Sequence, residues 1–176
     1  MRVLLSESEI RQGVTRLAQQ IHQDYQSQPL TILGVLTGSL VLLADLIRQI
    51  DLPLRVGVLQ ASSYRGEAQS PGELVLNADF LPSLADQHVL LIDDIFDTGK
   101  TLQAVKTRLH PLGPLSVRTA VLLWKTARRQ VDLTPDYHCF QIPDEFVVGY
   151  GLDFDNQYRQ LPYIACIESS ANSGPS

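Results

Sequence analysis

Apolar residues recur along this chain with two alternating spacings, one typical of strands and one typical of helices. Apolar runs predict strands at 30–36, 55–61, 73–76, 89–92, 117–123, 137–142 and 163–167, and helices at 40–50 and 102–109. Ser6 and Glu9 have the spacing of a capping box, so an amphipathic helix is predicted within the amino-terminal segment 1–28. Strands that alternate with helices at these lengths indicate an α/β fold: a mostly parallel central sheet flanked by helices, with a small carboxy-terminal lobe.

Two segments interrupt this alternation. Residues 62–72 are polar and rich in Ser, Gly and charge, so the strands on either side are expected to form a hairpin with a mobile tip. Residues 169–176 contain Gly, Pro and Ser, and we expect a disordered tail there. The chain as a whole, 1–176, is expected to form a single domain.

The apolar run at 89–92 is the most informative strand, because it ends abruptly in carboxylates. Asp93 and Asp94 follow it, then Asp97, and then the phosphate-binding residue types Thr98, Gly99, Lys100 and Thr101. The N–H groups that begin the next predicted helix would point back at this turn. A plain loop with a helix cap is the simpler alternative. Three carboxylates beside such a turn favour an anion cradle next to a cation-binding acidic pair.

Spacing excludes two common phosphate-handling motifs. A P-loop needs Gly five residues before the Gly of its Gly-Lys-Thr run, and that position is Asp94 here. The Asp-x-Asp motif of aspartyl-phosphate phosphatases is absent as well, because Asp94 and Asp97 are three residues apart.

Composition narrows the class of protein. The 176 residues are 44% hydrophobic and carry a formal net charge of -5, which argues against nucleic acid as a partner. The amino-terminal apolar run is too short for a signal peptide, and no stretch approaches the ~20 apolar residues that span a bilayer. A cytoplasmic protein without a membrane partner is expected. Cys139 and Cys166 have no metal-binding spacing and are expected to be buried, reduced thiols.

The run 93–101 resembles the phosphoribosyl pyrophosphate (PRPP) motif of type I phosphoribosyltransferases. Residues 35–40 and 44–46 are similar to the pyrophosphate loop of the hypoxanthine-guanine enzymes, and residues 61–66 to their flexible loop. Residues 142–163 resemble their purine-binding segment almost residue for residue. Asp97 points to the 6-oxopurine branch, because the adenine and uracil enzymes and the pyrimidine-operon regulators carry Ala or Tyr there.

The resemblance implies a type I phosphoribosyltransferase fold and an enzyme of purine salvage. It would transfer the phosphoribosyl group of PRPP to N9 of hypoxanthine or guanine, with Mg²⁺ as cofactor and a homodimer or homotetramer as its assembly. A xanthine- or guanine-preferring enzyme and a nucleotide-sensing RNA-binding regulator on the same fold are the alternatives. A basic surface would mark the regulator, and this acidic chain lacks one outside Lys125, Arg128 and Arg129.

The resemblance also implies a role for each site residue. The ribose hydroxyls and their magnesium would face Asp93 and Asp94, and the 5′-phosphate would face Asp97, Thr98, Gly99, Lys100 and Thr101. Pyrophosphate would contact Leu36, Thr37, Gly38, Ser63, Tyr64 and Arg159, and the purine would contact Lys125, Phe146, Val147 and Asp153, the last also holding a second magnesium.

Three of these positions carry specific expectations. In the family the Leu36-Thr37 peptide bond can be cis, and many relatives have Lys or Arg where this chain has Thr37. Asp97 is the candidate for proton transfer, because a carboxylate near N7 can take the imidazole proton as N9 attacks C1′. Its simpler role would be to cap the following helix.

Overall fold

The computed structural model describes residues 1–63, 74–77 and 81–167. Its helices are α1 (Glu7–Asp24), α2 (Leu40–Ile47) and α3 (Lys100–Leu109), with 3₁₀ turns at His110–Leu112 and Thr126–Arg128. Its strands are β1 (Arg2–Leu5), β2 (Leu30–Leu36), β3 (Leu54–Ser63), β4 (Leu74–Asn77), β5 (His88–Phe96), β6 (Ser116–Trp124), β7 (Tyr137–Gln141), β8 (Val147–Val148) and β9 (Ile164–Cys166).

The central sheet has the strand order β4-β3-β2-β5-β6-β7. Its last five members run parallel, and only β4 is antiparallel, paired with β3 from Gln60 opposite Asn77 to Ser63 opposite Leu74. The predicted mostly parallel sheet and the predicted hairpin are therefore confirmed. The tip of the hairpin and the tail at 169–176 lie outside the described residues.

A second sheet corrects the predicted carboxy-terminal lobe. Its antiparallel order is β1-β9-β8, so residues from both ends of the described chain build it, with Arg2 opposite Cys166 and Val147 opposite Cys166. The assignment of 1–28 to a helix was wrong for Arg2–Leu5. Four residues, half of them exposed, are too few to show a strand period before the capping box begins.

Helix boundaries follow the capping residues more closely than the apolar pattern. The predicted capping box is present: Ser6 accepts from the backbone N–H of Glu9, and Glu9 accepts from that of Ser6, so α1 begins at Glu7. Helix α3 begins at Lys100 rather than residue 102, because its N-cap is Gly99 in the left-handed region at φ +82°. Helix α2 ends at Ile47 rather than residue 50.

Apolar side chains cover both faces of the central sheet, as a parallel sheet requires. Leu90 and Ile92 of β5 pack with α1 and α2, whereas Val89 and Leu91 pack with α3 on the opposite face. Cys139 and Cys166 form no disulfide, and burial raises the pKa of the Cys139 thiol to about 12, so it stays protonated. Within the described residues, no helix has the length and hydropathy to cross a bilayer.

Candidate active site

Three neighbouring parallel strands end at the same edge of the central sheet, and their carboxyl ends deliver most of the predicted site residues. Strand β2 ends at Leu36, β5 at Phe96 and β6 at Trp124, in adjacent positions of the sheet. In open α/β sheets this edge is where ligands bind. The topology therefore explains why residues from strand ends that are 28 to 88 positions apart in sequence can contact one ligand.

The acidic pair lies at the end of β5, beside a cavity of about 290 Å³ that residues 93–99 help to line. The Asp94 N–H donates to Asp93 Oδ1 at 3.0 Å, and the Ile95 N–H donates to Asp94 Oδ1 at 2.7 Å. Burial raises the pKa of Asp93 well above its usual range, and the neighbouring Asp94 carboxylate raises it further. Burial also raises the pKa of Asp94, although Arg159 partly opposes that shift.

The chemistry of this pair suits a hard divalent cation. Among the described residues, neither Asp93 nor Asp94 forms an ion pair with Lys or Arg, so two half-buried carboxylates lack a contacting cation. Magnesium prefers such oxygens and is bound through one or two carboxylates together with substrate and water. No third His, Cys, Asp or Glu joins them as a metal-binding cluster in the described part of the chain. Asp153 therefore does not complete a three-carboxylate site with the pair.

The pyrophosphate-loop residues pack directly on this pair. The Leu36-Thr37 peptide bond is cis, as the family resemblance allows. A Cβ atom on Gly38 would overlap the Asp94 carboxylate, and one on Gly151 would overlap the Gly38 carbonyl oxygen. Only glycine at both positions lets these loops approach so closely.

Arg159 connects the carboxy-terminal loop to the same place. Its Nη1 donates to the Gly151 carbonyl oxygen at 2.6 Å, and its Nη2 lies 2.8 Å from Asp153 Oδ1. The Tyr150 hydroxyl donates to Asp45 Oδ2 at 2.7 Å, which ties this loop to helix α2. The structure thus brings Gly38, Asp94, Asp153 and Arg159 into one connected group.

The turn before α3 has the form predicted for an anion cradle. At Gly99 the φ of +82° favours glycine, and a Cβ atom would overlap the side chains of Phe96 and Val131. The Lys100 N–H lies 3.4 Å from Thr98 Oγ1, and the Gln130 N–H donates to the Thr98 carbonyl at 3.0 Å. The first N–H groups of α3, including that of Thr101, lie at the start of the helix. The start of a helix is a favourable place for an anion.

Asp97 does not cap α3, since Gly99 occupies the cap position and Asp97 accepts no hydrogen bond from a backbone N–H of this helix. Instead Asp97 Oδ1 lies 2.8 Å from Arg128 Nε, in an ion pair whose geometry is not that of a hydrogen bond. The alternative role considered from the sequence is therefore wrong. The position of Asp97 at the cavity leaves a role toward a ligand open.

Lys125 is almost fully buried, with 8% of its side chain exposed. Its backbone N–H donates to the Phe96 carbonyl at 2.9 Å, which fixes the start of the loop after β6. Its Nζ lies 3.4 Å from Asp144 Oδ1, and Arg128 Nη1 lies 3.3 Å from the same oxygen. Partial desolvation acts to raise the pKa of Asp144. The hydrogen bonds from Arg128 and Lys125 outweigh it and hold that pKa below its usual range.

Phe146 is 53% exposed, so it is not a core residue and its ring is accessible. Phe154, equally exposed, meets it edge to face with ring centroids 5.6 Å apart. Val147, which follows Phe146, is the first residue of β8. The backbone of Ser63 lies at the end of β3, and Tyr64 lies outside the described residues. Phe154 was not predicted as a neighbour of Phe146, although an aromatic residue within the polar run 153–157 was the available signal.

The fold and this arrangement define a phosphate-binding α/β protein, and comparison with known proteins gives its class: a family model described as a phosphoribosyl transferase domain matches residues 4–155. A hypoxanthine-guanine phosphoribosyltransferase of Streptococcus pneumoniae is 37% identical over 172 residues, covering 98% of this chain and 96% of the relative. One of Staphylococcus aureus is 40% identical over 171 residues, covering 97% and 96%.

Solved structures agree with these relatives. A hypoxanthine phosphoribosyltransferase from Staphylococcus aureus superposes with a TM-score of 0.89 at 40% identity, covering 96% of this chain and 91% of that one. A hypoxanthine-guanine phosphoribosyltransferase from Bacillus anthracis gives 0.88 at 38% identity, covering 96% and 98%. This chain belongs to the hypoxanthine-guanine phosphoribosyltransferase family, and its fold is that of the type I enzymes.

Proposed function

We propose that this protein is a magnesium-dependent enzyme of purine salvage. It transfers the 5-phosphoribosyl group of PRPP to N9 of hypoxanthine or guanine and releases pyrophosphate, giving IMP or GMP. The observation that carries the proposal is the contact between the Asp94 carboxylate and Gly38, which sets the acidic pair beside the pyrophosphate loop. The names of the similar proteins support the same substrates.

The residues of β5 and the following turn would hold the ribose and its 5′-phosphate. The carboxylates of Asp93 and Asp94 would face the ribose hydroxyls, and the N–H groups of 98–101 would surround the phosphate. The two carboxylates would also hold magnesium. When bound there, magnesium would neutralise negative charge on the substrate and orient its oxygens.

Pyrophosphate, the leaving group, would be held by the loop at 36–38 and by the carboxy-terminal loop that carries Arg159. The backbone N–H groups of 36–38 and the guanidinium of Arg159 would bind pyrophosphate, and Ser63 and Tyr64 would contact it from the hairpin. Because Thr37 supplies no positive charge, the positive charge at this loop would come from Arg159, which the structure ties to the loop through Gly151. Asp153, paired with Arg159, is the proposed ligand of a second magnesium.

The purine would stack on the exposed face of Phe146, with the backbone of Val147 at its edge. Lys125 would donate to the 6-oxo group, so a 6-amino group would leave the ammonium without an acceptor. As the C1′–O bond to pyrophosphate breaks and the N9–C1′ bond forms, the imidazole proton of the base would pass from N7 to the Asp97 carboxylate.

Two further properties belong to this proposal. We propose a cytoplasmic enzyme, consistent with an acidic chain in which no described helix can cross a membrane. We also propose that it assembles as a homodimer or homotetramer.

Steady-state assays with PRPP and each of hypoxanthine, guanine, xanthine, adenine and uracil test the proposal. We expect turnover with hypoxanthine or guanine. This turnover should vanish with excess chelator and return when magnesium is added. Adenine and uracil should be poor substrates. Efficient turnover of adenine, or equal activity in chelator, would overturn it, and a preference for xanthine would select the alternative acceptor.

A further inference from the structure

We infer that Arg128 is a positioning residue of the reaction, acting through Asp97, and that Asp144 joins it to Lys125. The inference rests on the proposed function, in which Asp97 takes the proton of the base and Lys125 reads its 6-oxo group. The four side chains form a line of alternating charge with these two groups at its ends. We call this line the charge chain, and its members are Lys125, Asp144, Arg128 and Asp97.

The contacts in the charge chain use different atoms of one guanidinium. Arg128 Nε lies 2.8 Å from Asp97 Oδ1, and Arg128 Nη1 lies 3.3 Å from Asp144 Oδ1. Lys125 Nζ lies 3.4 Å from that same Asp144 oxygen. Because the guanidinium is planar and its donors are fixed relative to one another, its position on Asp144 constrains where it meets Asp97.

The backbone places Arg128 where it can do this. Residues 126–128 form a 3₁₀ turn in which the Arg128 N–H donates to the Lys125 carbonyl at 3.3 Å. The chain is held on either side: the Lys125 N–H donates to the Phe96 carbonyl at 2.9 Å, and the Gln130 N–H donates to the Thr98 carbonyl at 3.0 Å. The turn is thus fixed against the segment that carries Asp97.

This arrangement leaves one carboxylate oxygen of Asp97 for the base. Oδ1 lies 2.8 Å from Arg128 Nε in an ion pair that is not a hydrogen bond, whereas Oδ2 forms neither an ion pair nor a hydrogen bond with another described residue. A proton acceptor must lie within hydrogen-bond reach of the proton it takes, so fixing Oδ1 also fixes the direction of Oδ2. Removing Arg128 would free the Asp97 side chain to rotate away from N7.

Stability is not the expected purpose of the charge chain. The side chains of Arg128, Asp97 and Asp144 are 45%, 37% and 47% exposed, and ion pairs at such positions add little to folding free energy. A loss of Arg128 should therefore appear in the kinetics and leave the unfolding temperature unchanged.

The neighbouring Arg129 provides a matched control. It is exposed and forms no ion pair or side-chain hydrogen bond with another described residue. Arg128→Gln is expected to lower kcat with hypoxanthine by about tenfold or more, with the KM for PRPP and the thermal unfolding midpoint within error of wild type. Arg129→Gln should leave all three unchanged. Equal kinetics of the two variants would overturn the inference.

A double-mutant cycle separates positioning from an independent effect. If Arg128 acts through Asp97, then Arg128→Gln should change kcat less than about twofold in an Asp97→Asn background. Effects that multiply in the double variant would overturn the inference. Asp144→Asn should raise the KM for hypoxanthine through Lys125, and an unchanged KM would remove Asp144 from the charge chain. Wild-type protein without turnover of PRPP and a 6-oxopurine would instead refute the proposed function.

Discussion

Asp97 is the residue whose role the structure narrows most. Since it caps no helix, Asp97→Asn should leave the unfolding midpoint unchanged. It retains the shape of the side chain but removes the proton acceptor, so kcat should fall by about 10² to 10⁴, the range of a positioned acid or base. The KM for PRPP should change little. Steady-state kinetics measure both values, and a kcat within a few-fold of wild type would leave the reaction to charge stabilisation alone.

Asp93, a proposed metal ligand, lies where its ionised form is disfavoured. Burial and the neighbouring Asp94 raise its pKa in the folded protein above the unfolded value, so the folded state favours the protonated acid. This contribution to stability is present at low pH and is lost as pH rises from the unfolded pKa through the raised folded pKa.

Asp93→Asn should therefore stabilise the ligand-free protein in chelator at neutral pH, and the gain should shrink toward acidic pH. Thermal unfolding at several pH values measures it. The amide can keep the hydrogen bond from the Asp94 N–H through its carbonyl oxygen. A gain that does not depend on pH would contradict this account, and PRPP binding should weaken in any case.

At the scale of single elements, local signals were predicted well and long-range ones were not. The turn after β5 is contiguous in sequence, so its acids, threonines and glycine could be identified together. Arg128 was missed as a partner of Asp97, and Asp144 as a partner of Arg128, because these contacts form only in the folded chain, between residues 31 and 16 positions apart. The short strand β1 was missed because its partner, β9, lies at the other end of the chain.

The turn itself gives a prediction with a matched control inside the molecule. Gly99→Ala places a Cβ atom at φ +82° and onto the rings and methyls of Phe96 and Val131. Gly113→Ala meets a similar φ of +77°, but its nearest neighbour is 3.9 Å away. The backbone penalty, roughly 1 kcal/mol, is common to both variants, and the overlap belongs to Gly99 alone.

Chemical denaturation should therefore show a larger loss of unfolding free energy for Gly99→Ala than for Gly113→Ala. PRPP affinity should fall only for Gly99→Ala, because Gly113 lies in the loop after α3, away from the cradle. Similar losses in both variants would mean that the turn adjusts without cost, and that the close approach at Gly99 is not needed.

At the scale of the whole molecule, the site depends on how separate loops meet around Asp94. Three kinds of contact join α2, β5 and the carboxy-terminal loop. The backbones approach closely at Gly38 and Gly151, where a Cβ atom would not fit. Arg159 donates a hydrogen bond to the Gly151 carbonyl, and Tyr150 donates one to Asp45. None of these contacts could be predicted from the spacing of apolar residues. The family resemblance predicted that several of these residues belong to one site, but not which of them touch.

Binding of the substrate with its metal should consequently stabilise the whole fold. Two half-buried carboxylates without a contacting Lys or Arg among the described residues, in a chain of net charge -5, oppose a polyanion such as PRPP when no metal is present. With magnesium and saturating PRPP, the unfolding midpoint should rise. At a PRPP concentration one hundredfold above Kd, the gain in unfolding free energy should be about 2.7 kcal/mol. With PRPP and excess chelator the rise should be largely absent.

Thermal unfolding of the wild type and two variants tests this coupling between metal, substrate and fold. Asp93→Asn should lose most of the rise produced by magnesium and PRPP, whereas Arg129→Gln, which removes an exposed side chain with no ion pair or side-chain hydrogen bond among the described residues, should keep it. Equal stabilisation by PRPP in magnesium and in chelator would show that the acidic pair does not act through a cation. The pair would then contact the ribose hydroxyls directly, and the raised pKa of Asp93 would favour its protonated acid as a hydrogen-bond donor to them.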